Sequence, residues 1–173
     1  MSIQLIIAVE ANKESKSDYR YIDPFIKRYF KIGTNKISYV YMGSKRNYSD
    51  KGIKNQITSL INSYRKTGKS HVIYCFDTDD FSVSPEHQAN DEKIKKDLVH
   101  NSDIVWFNRD IEEVFINSRL ENSEKKSKSI DFLAKGLIKF VSYQLFTYED
   151  DFVGKRRSNL GVVMSKYLEK SSE

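Results

Sequence analysis

The sequence predicts an α/β fold of the Rossmann-like kind, a mostly parallel sheet of four to five strands with helices on both faces and further helices at the C-terminal end. Three observations predict it. Short apolar runs such as Leu5–Val9, Val72–Phe76 and Ile104–Phe107 lack polar interruption, as strands covered on both faces do. Amphipathic stretches at helical spacing alternate with these runs. The connections are short, giving the β-α-β-α-β-α-β order of a doubly wound sheet.

Ser2–Val9 is the first strand and stops at Glu10. After the polar loop Ala11–Lys16, Ser17 or Asp18 can cap a helix over Tyr19–Phe30, with Ile22, Phe25, Ile26, Tyr29 and Phe30 on one face. Pro24 belongs near a helix start, which would delay that start to about Asp23. Lys36–Met42 alternates as a second strand, and Gly43–Lys51 is a polar loop carrying Lys45 and Arg46. A helix from Ser49 or Asp50 to about Arg65 places Ile53, Ile57, Leu60, Ile61 and Tyr64 on one side, with Gly68 as its stop.

The central strand is the apolar run Val72–Phe76, entering Asp77, Asp79 and Asp80. Ser84-Pro85-Glu86 starts a polar helix to about His100, with a thin stripe of Ile94 and Leu98. Asp103–Phe107 is the next strand, followed by Asn108-Arg109-Asp110 and a short helix over Ile111–Leu120. Right-handed crossovers bring Glu10, Asp77, Asp79 and Asn108 to one edge of the sheet. Glu121–Ser129 reads as a charged loop. Ile130–Phe146 reads as the most apolar helix, with Phe132, Leu133, Leu137, Phe140, Val141 and Leu145 inward. The charged connection Asp150-Asp151 and Lys155-Arg156-Arg157 leads to a closing helix over Ser158–Leu168. With no repeat and no internal boundary, the 173 residues form one domain, a core over 1–120 and a helical part over 121–173.

Charged residues make up 31% and hydrophobic ones 39%, the composition of a globular chain rather than a disordered one. No apolar run approaches the roughly 20 residues that span a bilayer, and the N-terminus lacks the pattern of a signal peptide. Cys75 is the sole cysteine, so no disulfide forms within the chain, and the expected setting is a reducing cytoplasm. Three scattered histidines and one cysteine argue against a structural zinc site. A net charge of +5 suits an anionic partner such as nucleic acid without requiring one.

The chemistry concentrates at the strand ends. Asp77 and Asp79 are two apart, so in an extended chain both leave the same face. Like charges that close need a proton or a cation between them, and Mg²⁺ is typically held by one or two carboxylates with water and phosphate oxygens. A helix cap with acidic first-turn residues is the plainer alternative.

Glu10 and Asp77-Thr78-Asp79 at strand ends resemble the Toprim signature. The resemblance extends to the RloB-like branch of that family, associated with prokaryotic defence. Its first motif is similar to Glu10-Ala11-Asn12-Lys13-Glu14-Ser15 followed by Asp18-Tyr19, with Ala11 where glycine is usual. Asn108-Arg109-Asp110-Ile111-Glu112-Glu113-Val114 resembles its N-P-x-F-E-x-W segment, with Arg109 in place of proline, and Ser158-Asn159-Leu160 resembles its closing N-P-x-T segment, with Leu160 in place of proline. The resemblance implies a Toprim-like fold and a Mg²⁺ or Mn²⁺ ion held by Glu10, Asp77 and Asp79.

Such a site activates an attacking oxygen and neutralises a leaving one in phosphoryl transfer. Glu112 either completes it, acts as a general base, or is an acidic first-turn residue suited to the helix dipole. Arg109, Lys135, Arg156 and Arg157 are candidates for a phosphate backbone, or a solvated basic face. Two functions follow. One is a Mg²⁺- or Mn²⁺-dependent nuclease acting on DNA or RNA. The other is a non-catalytic Toprim-like module that binds nucleic acid, nucleotide or protein, and works with a partner ATPase or sensor.

Overall fold

Strand β1 (Ile3–Val9) is the axis of the fold, because every neighbouring strand is placed by it. A computed structural model describes residues 2–81, 83–149 and 156–172 of the chain. Along the chain follow α1 (Ser17–Tyr29), β2 (Phe30–Lys31), β3 (Lys36–Tyr41), α2 (Lys51–Tyr64), β4 (Lys69–Asp77), α3 (Pro85–Leu98) and β5 (Asp103–Phe107). They are succeeded by α4 (Ile111–Ile116), α5 (Asn122–Ala134), α6 (Leu160–Ser165) and β6 (Glu169–Lys170). The main sheet has four strands in the order β3-β1-β4-β5, all pairs parallel. The predicted parallel α/β architecture is therefore present, with four strands. A small antiparallel ribbon of β2 and β6 stands beside it.

Both faces of the sheet are covered, which explains the unbroken apolar runs. Leu5, Ile7, Val9, Ile73, Cys75, Val105 and Phe107 point into a core shared with α1, α5 and α6. Ile6, Ala8, Val40, Tyr74, Phe76 and Trp106 point the other way, onto Ile53, Ile57 and Ile94 of α2 and α3. Cys75 is a buried free thiol. Among the described residues no helix is long and apolar enough to cross a membrane.

Side-chain caps set most helix starts. Asp50 accepts the Gly52 and Ile53 amides, Ser84 the His87 amide and Asp110 the Glu113 amide. Helix α1 departs from expectation: it begins at Ser17, and Pro24 lies inside it. The amide bond lost at proline is outweighed by full burial of Tyr21, Ile22, Phe25 and Ile26 on either side of it. Gly68 is required by a close pass rather than by a helix stop, since a Cβ there would lie 2.0 Å from the Ser2 carbonyl oxygen.

The C-terminal part corrects two expectations. Glu121–Ser129 is not a loop; α5 starts there, with Glu121 and Glu124 forming a reciprocal capping box. Ile130–Phe146 is not one helix, because Gly136 in the left-handed region (φ 59°) ends α5 and two 3₁₀ turns follow, Leu137–Phe140 and Tyr143–Phe146. Phe132 and Val141 are buried as expected, whereas Leu133 and Phe140 face solvent. Helix α6 is shorter than the expected Ser158–Leu168 but buries Leu160, Val163 and Met164. Ahead of it, Asn159 grips the outer side of β5: its Oδ1 accepts the Trp106 amide at 2.8 Å and its Nδ2 donates to the Ile104 carbonyl at 2.9 Å. Asp150, Asp151 and Lys155 lie outside the described residues.

Candidate functional site

The crossover from β1 runs through α1 on one face, while the chain leaving β4 runs through α3 on the other. The strand order thus reverses between β1 and β4, and such a switch point opens a crevice beyond the carboxyl ends of the strands. Glu10 and Asp77 flank it. The Asp77 amide donates to Glu10 Oε1 at 2.7 Å, and the Ile111 amide at the start of α4 donates to Asp77 Oδ1 at 2.9 Å. Each carboxylate therefore spends one oxygen on a backbone amide. Asp18 of α1 joins them from below, accepting the Ala11 amide at 2.9 Å and the Ser17 hydroxyl at 3.1 Å. Ala11 lies outside the left-handed region, so its loop does not need the glycine that is usual there.

Asp79 goes elsewhere. The strand ends at Asp77, the Thr78 amide donates to the Phe107 carbonyl at 2.9 Å, and Asp79 turns into the left-handed region (φ 51°). Its amide donates to the carbonyl of Arg109, itself left-handed (φ 59°), whose amide donates to Thr78 Oγ1. The expectation that Asp77 and Asp79 share a face is corrected by this turn, because the alternation of faces holds only while the chain is extended. Asp79 Oδ2 instead accepts Lys45 Nζ at 2.8 Å, and the same ammonium donates to Asp91 Oδ1 of α3 at 3.0 Å.

Glu112 occupies the far side. It is fully buried in the first turn of α4, where Asp110 rather than Glu112 supplies the cap. Lys125 Nζ of α5 approaches its Oε2 to 3.3 Å, and neither carboxylate oxygen makes a hydrogen bond among the described residues. Glu113 turns outward to Arg109, 3.4 Å away.

The electrostatics follow from this crowding. Burial pushes Glu10 up to about 8; Lys45 and the Asp77 amide draw it down, while Asp18 and Asp79 add to the rise. Burial, with Glu10 and Glu112 next, raises Asp77 well above the carboxylate range. Glu112 is pushed up to about 7 by burial against the pull of Lys125. Asp18 and Asp91 are raised for the same first reason. Burial disfavours the ammonium of Lys45, but Asp79, Glu10 and Asp91 more than offset it. The crevice holds more carboxylate than its lysines neutralise, and the burial of that excess raises its acids.

A divalent ion is the other way to neutralise it. The donor chemistry fits a hard cation: oxygen ligands alone, with Glu10 Oε2 and Asp77 Oδ2 unpartnered among the described residues. Among the described residues no three His, Cys, Asp or Glu side chains are grouped closely enough to hold an ion by themselves. The fit is to an ion carried by two carboxylates and water, with Asp79 engaged by Lys45.

The basic candidates separate. Arg109 stands at the rim, half-exposed. Arg156 donates from Nε to the carbonyls of Glu113 and Val114 and from Nη2 to that of Phe115, so it caps the end of α4 instead of presenting its fork to solvent. Arg157 lies over the Tyr148 ring, 4.4 Å from its centroid. Lys135 pairs with Asp131 at the far end of α5, about 15 Å along the helix from Lys125. Sequence reasoning did not single out Lys45, Asp91 or Lys125 as site residues. Lys45 carried a signal, since it follows a strand at the same sheet edge; Lys125 sits in a charged run that resembles a solvated loop. Compared with protein-family models, curated proteins and solved structures, the chain has no match.

Proposed function

We propose that the chain is a divalent-metal-dependent phosphodiesterase of Toprim-like type, cleaving DNA or RNA, with the resemblance to RloB-like proteins suggesting a setting in prokaryotic defence. The observation that carries this reading is the half-buried carboxylate pair Glu10 and Asp77 at the switch point, each with one oxygen tied to an amide. Perturbed carboxylates in a crevice are a mark of functional sites. Glu10 and Asp77 would hold a Mg²⁺ or Mn²⁺ ion, with Asp79 joining if Lys45 releases it. Such an ion supplies an acidified water and neutralises charge on a phosphoryl oxygen. The residues of the chain do the rest. Glu112, raised to about 7, can hold or take a proton near neutral pH. Lys45 offers a fixed positive charge beside the crevice, and Arg109 one at its rim.

The test is cleavage of plasmid DNA and of structured RNA with Mn²⁺, wild type beside Asp77→Asn and Glu10→Gln. Cutting by the wild type and loss in both variants is the expected result; cutting that survives both substitutions would overturn it. A second reading has its own observation. Lys45 and Lys125 already supply cations to the carboxylates, as in a Toprim-like module that binds without turnover and depends on a partner ATPase or sensor. Absence of cleavage, with nucleic-acid binding unchanged in Asp77→Asn, is the result that would favour it.

A further inference from the structure

Next to Glu10 and Asp79 lies a cavity of about 410 Å³, between the 3₁₀ turn Lys45–Ser49 and the first half of α3. Its walls carry Lys45, Arg46 and Lys93 together with the carboxylates of Glu10 and Asp79, the latter 2.8 Å from Lys45, while three further carboxylates paired with these cations lie off the cavity wall. Asp91 accepts from Lys45 at 3.0 Å, Glu86 stands 3.7 Å from Arg46, and Asp97 holds Lys93 at 2.5 Å. Lys93 also donates to the Tyr48 hydroxyl at 3.2 Å, and each of the three cations keeps at least one donor beyond these contacts. An ammonium has three donors, and Lys45 spends two, on Asp79 and Asp91. His87 adds a donor of fixed sense: its Nδ1 accepts the Asp80 amide at 3.2 Å, which leaves the proton on Nε2. The floor is apolar, formed by Tyr48 and Ile94.

We propose that this cavity binds one nucleotide bearing a phosphomonoester, its phosphate held by Lys45, Arg46 and Lys93 and its nucleoside against Tyr48 and Ile94. A phosphomonoester carries close to two negative charges at neutral pH, matching a wall with several cations. The volume suits a single small ligand and is too small for a duplex. The inference rests on the phosphodiesterase reading for its meaning, since it would seat a strand end beside Glu10 and Asp79, but not for its test. A free nucleotide and a 5′-phosphorylated strand end share this chemistry.

The experiment is calorimetric titration of the full chain in EDTA with AMP, with adenosine and with a 5′-phosphorylated trinucleotide. AMP is expected to bind saturably and adenosine at least about tenfold more weakly, the loss of charge-assisted contacts. Arg46→Ala and Lys93→Ala, both at exposed side chains, each weaken AMP by about fivefold or more with an unchanged circular dichroism spectrum, while Lys66→Ala does not. If the trinucleotide binds as AMP does, the ligand is a strand end; if AMP alone binds, it is a free nucleotide. Equal binding of AMP and adenosine, no binding of either, or wild-type affinity in both cavity variants overturns the proposal. Because no metal is present, failure of Mn²⁺-dependent cleavage leaves it standing, and cleavage without nucleotide binding removes the cavity's role alone.

Discussion

Asp77 and Asp79 are two residues apart in the chain yet answer to different lysines. Asp77 shares its buried surroundings with Glu10, Glu112 and Lys125, whereas Asp79 is bound to Lys45 at 2.8 Å. Glu10 lies within electrostatic reach of both groups. The crevice is thus a string of carboxylates with a lysine near each end, and most of its testable behaviour follows from that charge pattern.

Stability is expected to fall with rising pH when metal is removed. An unfolded glutamate loses its proton near 4.3, while folded Glu10 and Glu112 keep theirs to about 8 and about 7. Between those limits the folded chain binds more protons, so their contribution is complete below about pH 4 and is lost as pH passes through 7 and 8. The slope is roughly 1.4 kcal/mol per pH unit for each group. Urea midpoints at pH 5.5 and 8.5 in EDTA check this, with Glu10→Gln flattening the upper part. A midpoint that rises over this range would contradict the placement of these carboxyls.

Metal binding should expel protons. An ion held by Glu10 and Asp77 requires both to be ionised, and both are raised. Calorimetry of Mn²⁺ binding at pH 7 in PIPES and in MOPS, non-coordinating buffers of different ionisation heat, is expected to give heats that differ by about one proton or more per ion. Identical heats in the two buffers would mean that the ion binds elsewhere or that these groups are already charged.

Lys125→Met is expected to destabilise the fold mainly at high pH. At pH 6 Glu112 is largely protonated and needs no counter-charge. At pH 8.5 the loss should reach about 2 kcal/mol, less than the ~3–5 kcal/mol of a fully buried pair, because 27% of the Lys125 side chain is in solvent. Chemical denaturation at both values measures it, and an equal loss at both would place the role of Lys125 in packing.

The two arginines nearest α4 should behave oppositely. Arg156→Ala removes donors from three helix-end carbonyls and should cost about 1–3 kcal/mol. Arg109→Ala, at a half-exposed side chain, should stay within about 0.5 kcal/mol and lower nucleic-acid affinity instead. Thermal melts with a filter-binding assay separate the two effects; a stable Arg156→Ala chain with impaired binding would reverse the assignment.

Much of this architecture is legible in the sequence because its signals are local. The strands β1, β4 and β5 are apolar runs, and Asp50, Ser84 and Asp110 mark helix starts by their own side chains. Glu10 and Asp77 are legible as strand-end carboxylates. What escapes is what depends on partners distant in sequence or on one unusual dihedral. Helix α5 buries only Ser129 and Phe132, so its charged first turns carry no apolar stripe to announce them. The left-handed turn at Asp79 leaves no trace in residue type, and it alone parts Asp79 from Asp77. Lys45 and Lys125 acquire their meaning from carboxylates brought to them by the fold.

Asn159 bears on what the outer edge of β5 can offer to another chain. An outer strand of a sheet is a template on which another chain can add a strand of its own. On β5 the amide group of Asn159 takes both the Trp106 donor and the Ile104 acceptor, so one side chain stands in for the backbone of a neighbouring strand. The template is occupied at its middle by a group that cannot be extended, so no added strand can pair with Trp106 and Ile104 while Asn159 holds them.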